Sequence, residues 1–216
     1  MKSDNLINDA ISAAKNGCNE EVVSLLEQFL RANVIVGKNK FDLTKFVSKD
    51  TLRPAMQGIL HESGLKIATN GNILVAIEDE YEEEFEGQII GTKGNIIDQS
   101  TQKYPAWMSV LPYKDLNPVS LSDIDNTVKA IKEAAKLAKM EKRNVSVMIK
   151  DTDGEDLYFE SENFLKFLSF CKQYPSAGIF LHGAGKKDKI FARDGYNVCL
   201  LMAYTRHYDN SIVNAN

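Results

Sequence analysis

Cysteine is scarce in this 216-residue chain: Cys18, Cys171 and Cys199 are an odd number with no paired spacing. They exclude a disulfide framework and a CxxC metal site. Cys171 and Cys199 lie in apolar runs, where a free thiol behaves as a small hydrophobe. Long apolar stretches are missing too. None approaches the ~20 residues that span a bilayer, and Met1–Lys15 has no signal-peptide core. These absences predict a cytoplasmic, reducing setting and no membrane partner. Neither sign of charge dominates, since 26 Lys+Arg against 30 Asp+Glu leave −4. That excludes a protein coating nucleic acid over its whole surface and leaves room for a local basic patch.

Catalytic signatures are also absent. The three histidines are His61, His182 and His207. The first two fall on predicted strands at matching positions, with no Ser or Cys nucleophile placed beside them, so they read as structural. There is no Walker A loop, Rossmann glycine fingerprint or HExxH. Gly183-Ala184-Gly185-Lys186-Lys187 lacks phosphate-loop spacing and no helix follows it. The acidic run Glu78–Glu86 has no EF-hand register and reads as solvated charge. No catalytic residue, metal or cofactor is predicted.

What is present is an α+β pattern on a chain long enough to bury roughly 70% of its surface in one domain with an appendage. Residues 1–36 read as an αα-hairpin. Its first helix carries Leu6, Ile7, Ala10, Ile11, Ala13 and Ala14 and stops at Asn16-Gly17; Asn19 caps the second, with Val22, Val23, Leu26, Phe29 and Leu30 on one face. Residues 37–206 form the main domain, and 207–216 a polar, flexible tail. Within the main domain, 38–79 reads as βαβββ: a strand at Lys40–Leu43, a helix at Thr44–Arg53, then strands Ala55–Glu62, Leu65–Asn70 and Ile73–Asp79. Ser63-Gly64 and Asn70-Gly71 are the turns. A second unit, 156–204, repeats that order with strand Asp156–Phe159, helix Glu160–Tyr174, and strands Ala177–His182, Lys189–Arg193 and Val198–Tyr204.

The two units match in sequence as well. Gly58-Ile59-Leu60-His61 stands against Gly178-Ile179-Phe180-Leu181-His182, and Lys66–Gly71 against Lys189–Gly195, which points to an internal duplication. Any two hairpins share Gly, Asn or Asp at their tips, and this is the competing account. Between the units, Gly87–Gly91 and Asn95–Asp98 form a hairpin, and a helical insertion occupies about 113–143. Its helix, 121–143, starts at Ser122 or Asp123 and buries Ile124, Val128, Ile131, Ala135 and Ala138. Asn144–Lys150 alternates as a strand.

Two basic stripes follow. Lys129, Lys132, Lys136, Lys139 and Arg143 fall within an arc of about 80° on the long helix. Lys45, Lys49 and Arg53 share one face of the short one. Rows of this kind suit duplex phosphates through sequence-blind, salt-sensitive contacts. An ordinary solvated lysine face carries the same pattern.

The segment Thr51-Leu52-Arg53-Pro54-Ala55-Met56-Gln57-Gly58-Ile59-Leu60, running to Leu65-Lys66-Ile67-Ala68-Thr69-Asn70-Gly71-Asn72-Ile73-Leu74, resembles the bacterial DNA polymerase III β sliding clamp family. Tyr104-Pro105-Ala106-Trp107-Met108-Ser109-Val110-Leu111-Pro112 is similar to that family's aromatic-Pro-x-aromatic-x-x-Val-Ile/Leu-Pro segment, and Leu201-Met202-Ala203 to its apolar-Met-Pro ending. Asn70, Asn72 and Ile73 depart from the family's Asp, His and Arg. The resemblance covers about 40–204. It implies a single DNA-clamp-like domain of two βαβββ units and a non-enzymatic protein of DNA replication or repair. Lys45, Lys49, Arg53 and the long-helix row would face duplex DNA. A partner-peptide cleft for a DNA polymerase or other replication protein would include Thr69, Gly71, Leu74, Pro105, Val110 and Met202. A ring of a dozen units would need six copies of a two-unit chain, or other clamp subunits, and a homo-oligomer is expected. The alternative is a clamp-fold protein–protein interaction module, monomer or dimer, without DNA encirclement.

Overall fold

The structure is a computed structural model describing residues 41–79, 83–100, 102–112, 116–121, 123–150, 154–182, 189–204 and 211–215. Residues 42–216 form one compact unit, distinct from 1–41. The expected αα-hairpin, Cys18, His207 and the 183–187 loop lie outside the described residues.

The described strands are β1 (Gly58–Glu62), β2 (Leu65–Thr69), β3 (Ile73–Glu78), β4 (Ile89–Gly91), β5 (Ile96–Ile97), β6 (Leu116–Pro118), β7 (Val145–Lys150), β8 (Asp156–Glu160), β9 (Gly178–His182), β10 (Lys189–Asp194), β11 (Asn197–Met202) and β12 (Ser211–Asn214). The described α-helices are α1 (Ile124–Met140) and α2 (Ser161–Gln173). Nine strands join one sheet in the order β5-β4-β1-β2-β3-β11-β10-β9-β6, and β12-β7-β8 form a second.

The large sheet reads the same from both sides of its centre. Meander β1-β2-β3 meets β11-β10-β9 through the antiparallel β3–β11 pair, and β4 and β6 flank the two meanders. Ile73 pairs with Leu201 and Ala76 with Val198, the register a two-fold between the meanders requires. The sequence match falls in place: His61 pairs with Lys66 on one side, and His182 with Lys189 on the other.

Period-two alternation gives the sheet two apolar faces. One carries Leu60, Ile67, Leu74, Ala76, Phe191, Val198 and Leu200, covered by Trp107 with Tyr104 and Leu111. Cys199, on the alternate positions of β11, and Cys171, on the α2 helix that packs against this strand, are both buried. Phe164, Phe167, Leu168 and Phe170 make the buried face of α2, and Phe159, Phe164 and Phe167 stack at 5.8 and 5.9 Å. Helix α2 packs on β11 and on the small sheet, while α1 packs on β12, β7 and α2.

Several expectations need correction. No helix forms over Thr44–Arg53, and no strand over 41–43; a 3-10 turn, Leu43–Lys45, stands there. Short polar side chains take the backbone donors that a helix would use: Asp42 accepts from Thr44 N at 3.1 Å, Ser48 from Asp50 N at 3.0 Å, and Asp50 from Leu52 N at 2.9 Å. Ser48 N instead reaches Met56 O at 2.8 Å. Strand β1 begins at Gly58, because Pro54 opens a second 3-10 turn, Pro54–Gln57.

Asp123 caps α1 as expected, accepting from Asp125 N and Asn126 N at 2.8 and 3.1 Å. The helix stops at Met140, three residues short of Arg143. Lys142 takes φ +54 and Arg143 N returns to Ala138 O at 2.9 Å, a Schellman ending. Ala135 is exposed, and Thr127, Ile131 and Ala138 are the buried positions. Nor do residues 211–215 behave as a loose tail. Strand β12 pairs parallel with β7, and Ala215 is fully buried.

Candidate functional site

The lysine row stands on α1. Lys129, Lys132, Lys136 and Lys139 are all exposed, and none makes an ion pair with a described residue. Arg143 is also exposed, sits beyond the helix end, and pairs with Glu141 at 3.6 Å. Asp125 and Glu133 share this side of the helix with the row. Lys172 of α2 reaches Asp125 of α1 and ties the two helices side by side. The second expected stripe has no helix beneath it. Lys45 pairs with Asp42 at 3.4 Å and Arg53 with Asp50 at 3.6 Å, so the one-face spacing of Lys45, Lys49 and Arg53 loses its basis.

The expected cleft residues divide by burial. Thr69 is buried and its hydroxyl builds the β2–β3 turn, donating to Ile73 O at 2.8 Å and accepting from Gly71 N at 3.0 Å. Gly71 takes φ +92; a Cβ there would meet Arg53 Nη1 at 3.1 Å and Met56 Cε at 3.3 Å. Arg53 therefore lies against this turn. Leu74 is part of the core. Met202 is half-buried on the same cluster, and its N–H donates to Asn72 O at 2.9 Å. Val110 is 38% exposed, with its carbonyl accepting from Lys189 Nζ at 2.9 Å. Lys189 pairs with Met202 in the sheet, so the turn, the end of β11 and Val110 converge. Pro105 lines a separate hollow of about 320 Å³ with Leu60, Glu62, Tyr104, Trp107 and Met108.

The 104–111 segment is pinned at three points. Tyr104 Oη donates to Ile67 O at 3.1 Å, Trp107 Nε1 to Glu62 Oε2 at 2.6 Å, and Lys189 holds Val110. Burial pushes the Tyr104 phenol well above its ordinary range. Sequence reading missed two residues that organise this end, Lys189 and Asn163. Asn163 is a buried amide in the first turn of α2 that receives the Asn70 side chain at 3.0 Å. Its one sequence signal is an asparagine immediately before an apolar run.

Among the described residues no group of His, Cys, Asp or Glu is arranged to hold a metal ion. None of their helices is long and apolar enough to cross a membrane. In the acidic run, Asp79 pairs with Lys66 at 2.7 Å and Glu86 accepts from Ser63 N at 2.9 Å.

No protein-family model matches the chain, and no curated protein matches it in sequence. Solved structures do. A sliding clamp (DNA polymerase III subunit beta) from Bartonella birtlesii, bound to griselimycin, is similar with a TM-score of 0.55 at 14% identity over 77% of this chain and 63% of that one. The beta sliding clamp of C. crescentus gives 0.54 at 14% identity over the same shares, 77% and 63%. DNA polymerase III beta subunit from Thermotoga maritima gives 0.52 at 14%, again over 77% and 63%. The chain thus spans less than two thirds of the length of these proteins. What it shares with them is the mixed, sheet-rich fold of a clamp-like domain.

Proposed function

We propose that this chain is a non-enzymatic, sliding-clamp-like protein that lies along duplex DNA and tethers a replication or repair partner to it. The carrying observation is the row Lys129, Lys132, Lys136 and Lys139, exposed and without ion pairs among the described residues. Four such cations on one helix side provide sequence-blind phosphate contacts, each releasing counterions. A clamp-fold interaction module without a DNA role would favour lysines held in salt bridges, which this row is not. The fold likeness to sliding clamps supports the same reading.

The partner end is the surface formed by Gly71, Val110 and Met202, with Thr69 and Leu74 behind it as its frame. An extended apolar peptide suits this surface, whose two neighbouring cations are already engaged, Lys189 by the Val110 carbonyl and Arg53 by Asp50. Encirclement requires several copies, so the chain acts as a homo-oligomer, alone or on DNA.

Duplex binding at low salt, with the Lys129→Glu/Lys132→Glu/Lys136→Glu variant beside the parent, tests the reading. Loss of binding in the variant is the expected result. A parent with no affinity for duplex DNA at low salt ends it. Light scattering with and without DNA tests the topology, since a strict monomer in both conditions removes encirclement.

A further inference from the structure

A hollow of about 390 Å³ lies where the end of α1 meets the start of α2, lined by Lys139, Lys142, Arg143, Asn144 and Ser161 together with Ala135, Ala138 and Val145. We propose that this hollow is a seat for a phosphate group, presented by a nucleic-acid backbone or by a free phosphate-bearing molecule. Its polar lining consists of three cations, an amide and a hydroxyl. The side chains of Lys139, Lys142, Asn144 and Ser161 make no hydrogen bond or ion pair with a described residue. Three donors carrying positive charge therefore face one concavity, and only Arg143 is engaged, by Glu141 at 3.6 Å.

The other carboxylate nearby, Glu160, accepts from Asn163 N at 3.2 Å and lines the adjoining hollow rather than this one. The backbone brings the cations together. The Schellman ending turns the chain sharply after Met140, so Lys142 and Arg143 border the same space as Lys139 one turn earlier. A phosphate has several acceptor oxygens and no donor, which matches a lining of unused donors. A protein carboxylate offers two oxygens to the same lining and satisfies fewer of them.

The seat shares Lys139 with the lysine row but not Lys129, Lys132 or Lys136, and the test separates the two. Inorganic pyrophosphate is titrated into the full chain while backbone amide signals are followed by NMR, with sodium chloride at matched ionic strength as reference. Saturable shifts confined to residues around Asn144 and Ser161 are expected. They should weaken by about tenfold in Lys142→Glu, the scale of one lost charged hydrogen bond, and vanish in Ser161→Asp. An acid at this first helical position is compatible with the helix, so Ser161→Asp keeps the fold while filling the seat with negative charge. Lys129→Glu should leave the titration unchanged.

Shifts matched by sodium chloride, or kept in Ser161→Asp, overturn the proposal. Duplex DNA that displaces the pyrophosphate identifies a backbone phosphate as the ligand; pyrophosphate retained beside bound duplex identifies a free one. Saturation by pyrophosphate with no duplex binding at all fails the DNA reading and leaves the seat standing.

Discussion

The side-chain amide of Asn70 donates to Asn163 Oδ1 at 3.0 Å, joining the β2–β3 turn to the first turn of α2 across 93 residues of sequence. Asn70 Oδ1 meanwhile accepts from Asn72 N and Ile73 N at 2.9 and 3.0 Å. One side chain therefore shapes the turn and fixes it to the helix layer. Asn70→Asp keeps the acceptor and sets a carboxylate oxygen against the Asn163 carbonyl. It should cost about 1–2 kcal/mol, the scale of a lost buried hydrogen bond, read as a lower urea midpoint. An unchanged midpoint would show that the link contributes nothing.

Gly71 and Gly195 occupy equivalent hairpin tips in different surroundings. Gly71 has φ +92 and a Cβ there would meet Arg53 and Met56, whereas Gly195 has φ +60 and open space. Gly195→Ala should cost about 1 kcal/mol, the left-handed penalty alone. Gly71→Ala should cost more, because backbone strain adds to the displacement of Arg53. Equal losses of thermal midpoint in the two variants would contradict this difference.

The lysine row predicts a graded salt dependence. With four phosphate contacts, the slope of log K against log salt should be near −3.6, and each Lys→Ala should reduce it by about 0.9. Lys132→Ala, on an exposed position, should leave unfolding free energy within about 0.5 kcal/mol of the parent. A slope insensitive to every lysine of the row would place DNA elsewhere on the molecule.

Alkaline pH should destabilise the fold. Burial pushes the Cys171 thiol up to about 12 and raises Cys199 and Tyr104 well above their ordinary values. The folded state keeps these groups protonated where the unfolded chain releases the proton. Their stabilising contribution is complete below the ordinary thiol value of about 8.5 and falls as pH rises through the folded values. Urea unfolding at pH 7.5 and pH 10 should show the lower midpoint at pH 10. At pH 8 a thiol reagent should spare Cys171 and Cys199 in the native chain and label both in urea.

The readable part of the fold is the part set by near neighbours. Alternating Leu65–Thr69 and Ile73–Glu78 around Asn70-Gly71, and Lys189–Asp194 and Asn197–Met202 around Gly195, became the central hairpins. The amphipathic run after Asp123 became α1 with its lysines exposed. The 44–53 segment misled because its periodic lysines suggested a helix face. Ser48 and Asp50 instead hydrogen-bond locally and hold a turn.

The candidate site was legible as a set of residues but not as a surface. Thr69 and Leu74 fit the cleft pattern, yet their side chains are spent on the turn and the core. Lys189 and Asn163 lie far from the motif in sequence, and only folding sets them beside Val110 and Asn70.

By itself, the sequence determined the turns, the strand and helix periods, the segregation of lysines to one helix side and the likeness between the two meanders. All of these depend on residues within a few positions of one another, or on direct comparison of two segments. The tertiary structure decided that β3 pairs with β11, that β12 closes onto β7, and that α1 ends early enough to gather Lys139, Lys142 and Arg143 at the start of α2. Such choices come from burying two whole sheet faces at once, and that global packing is not encoded in any local period.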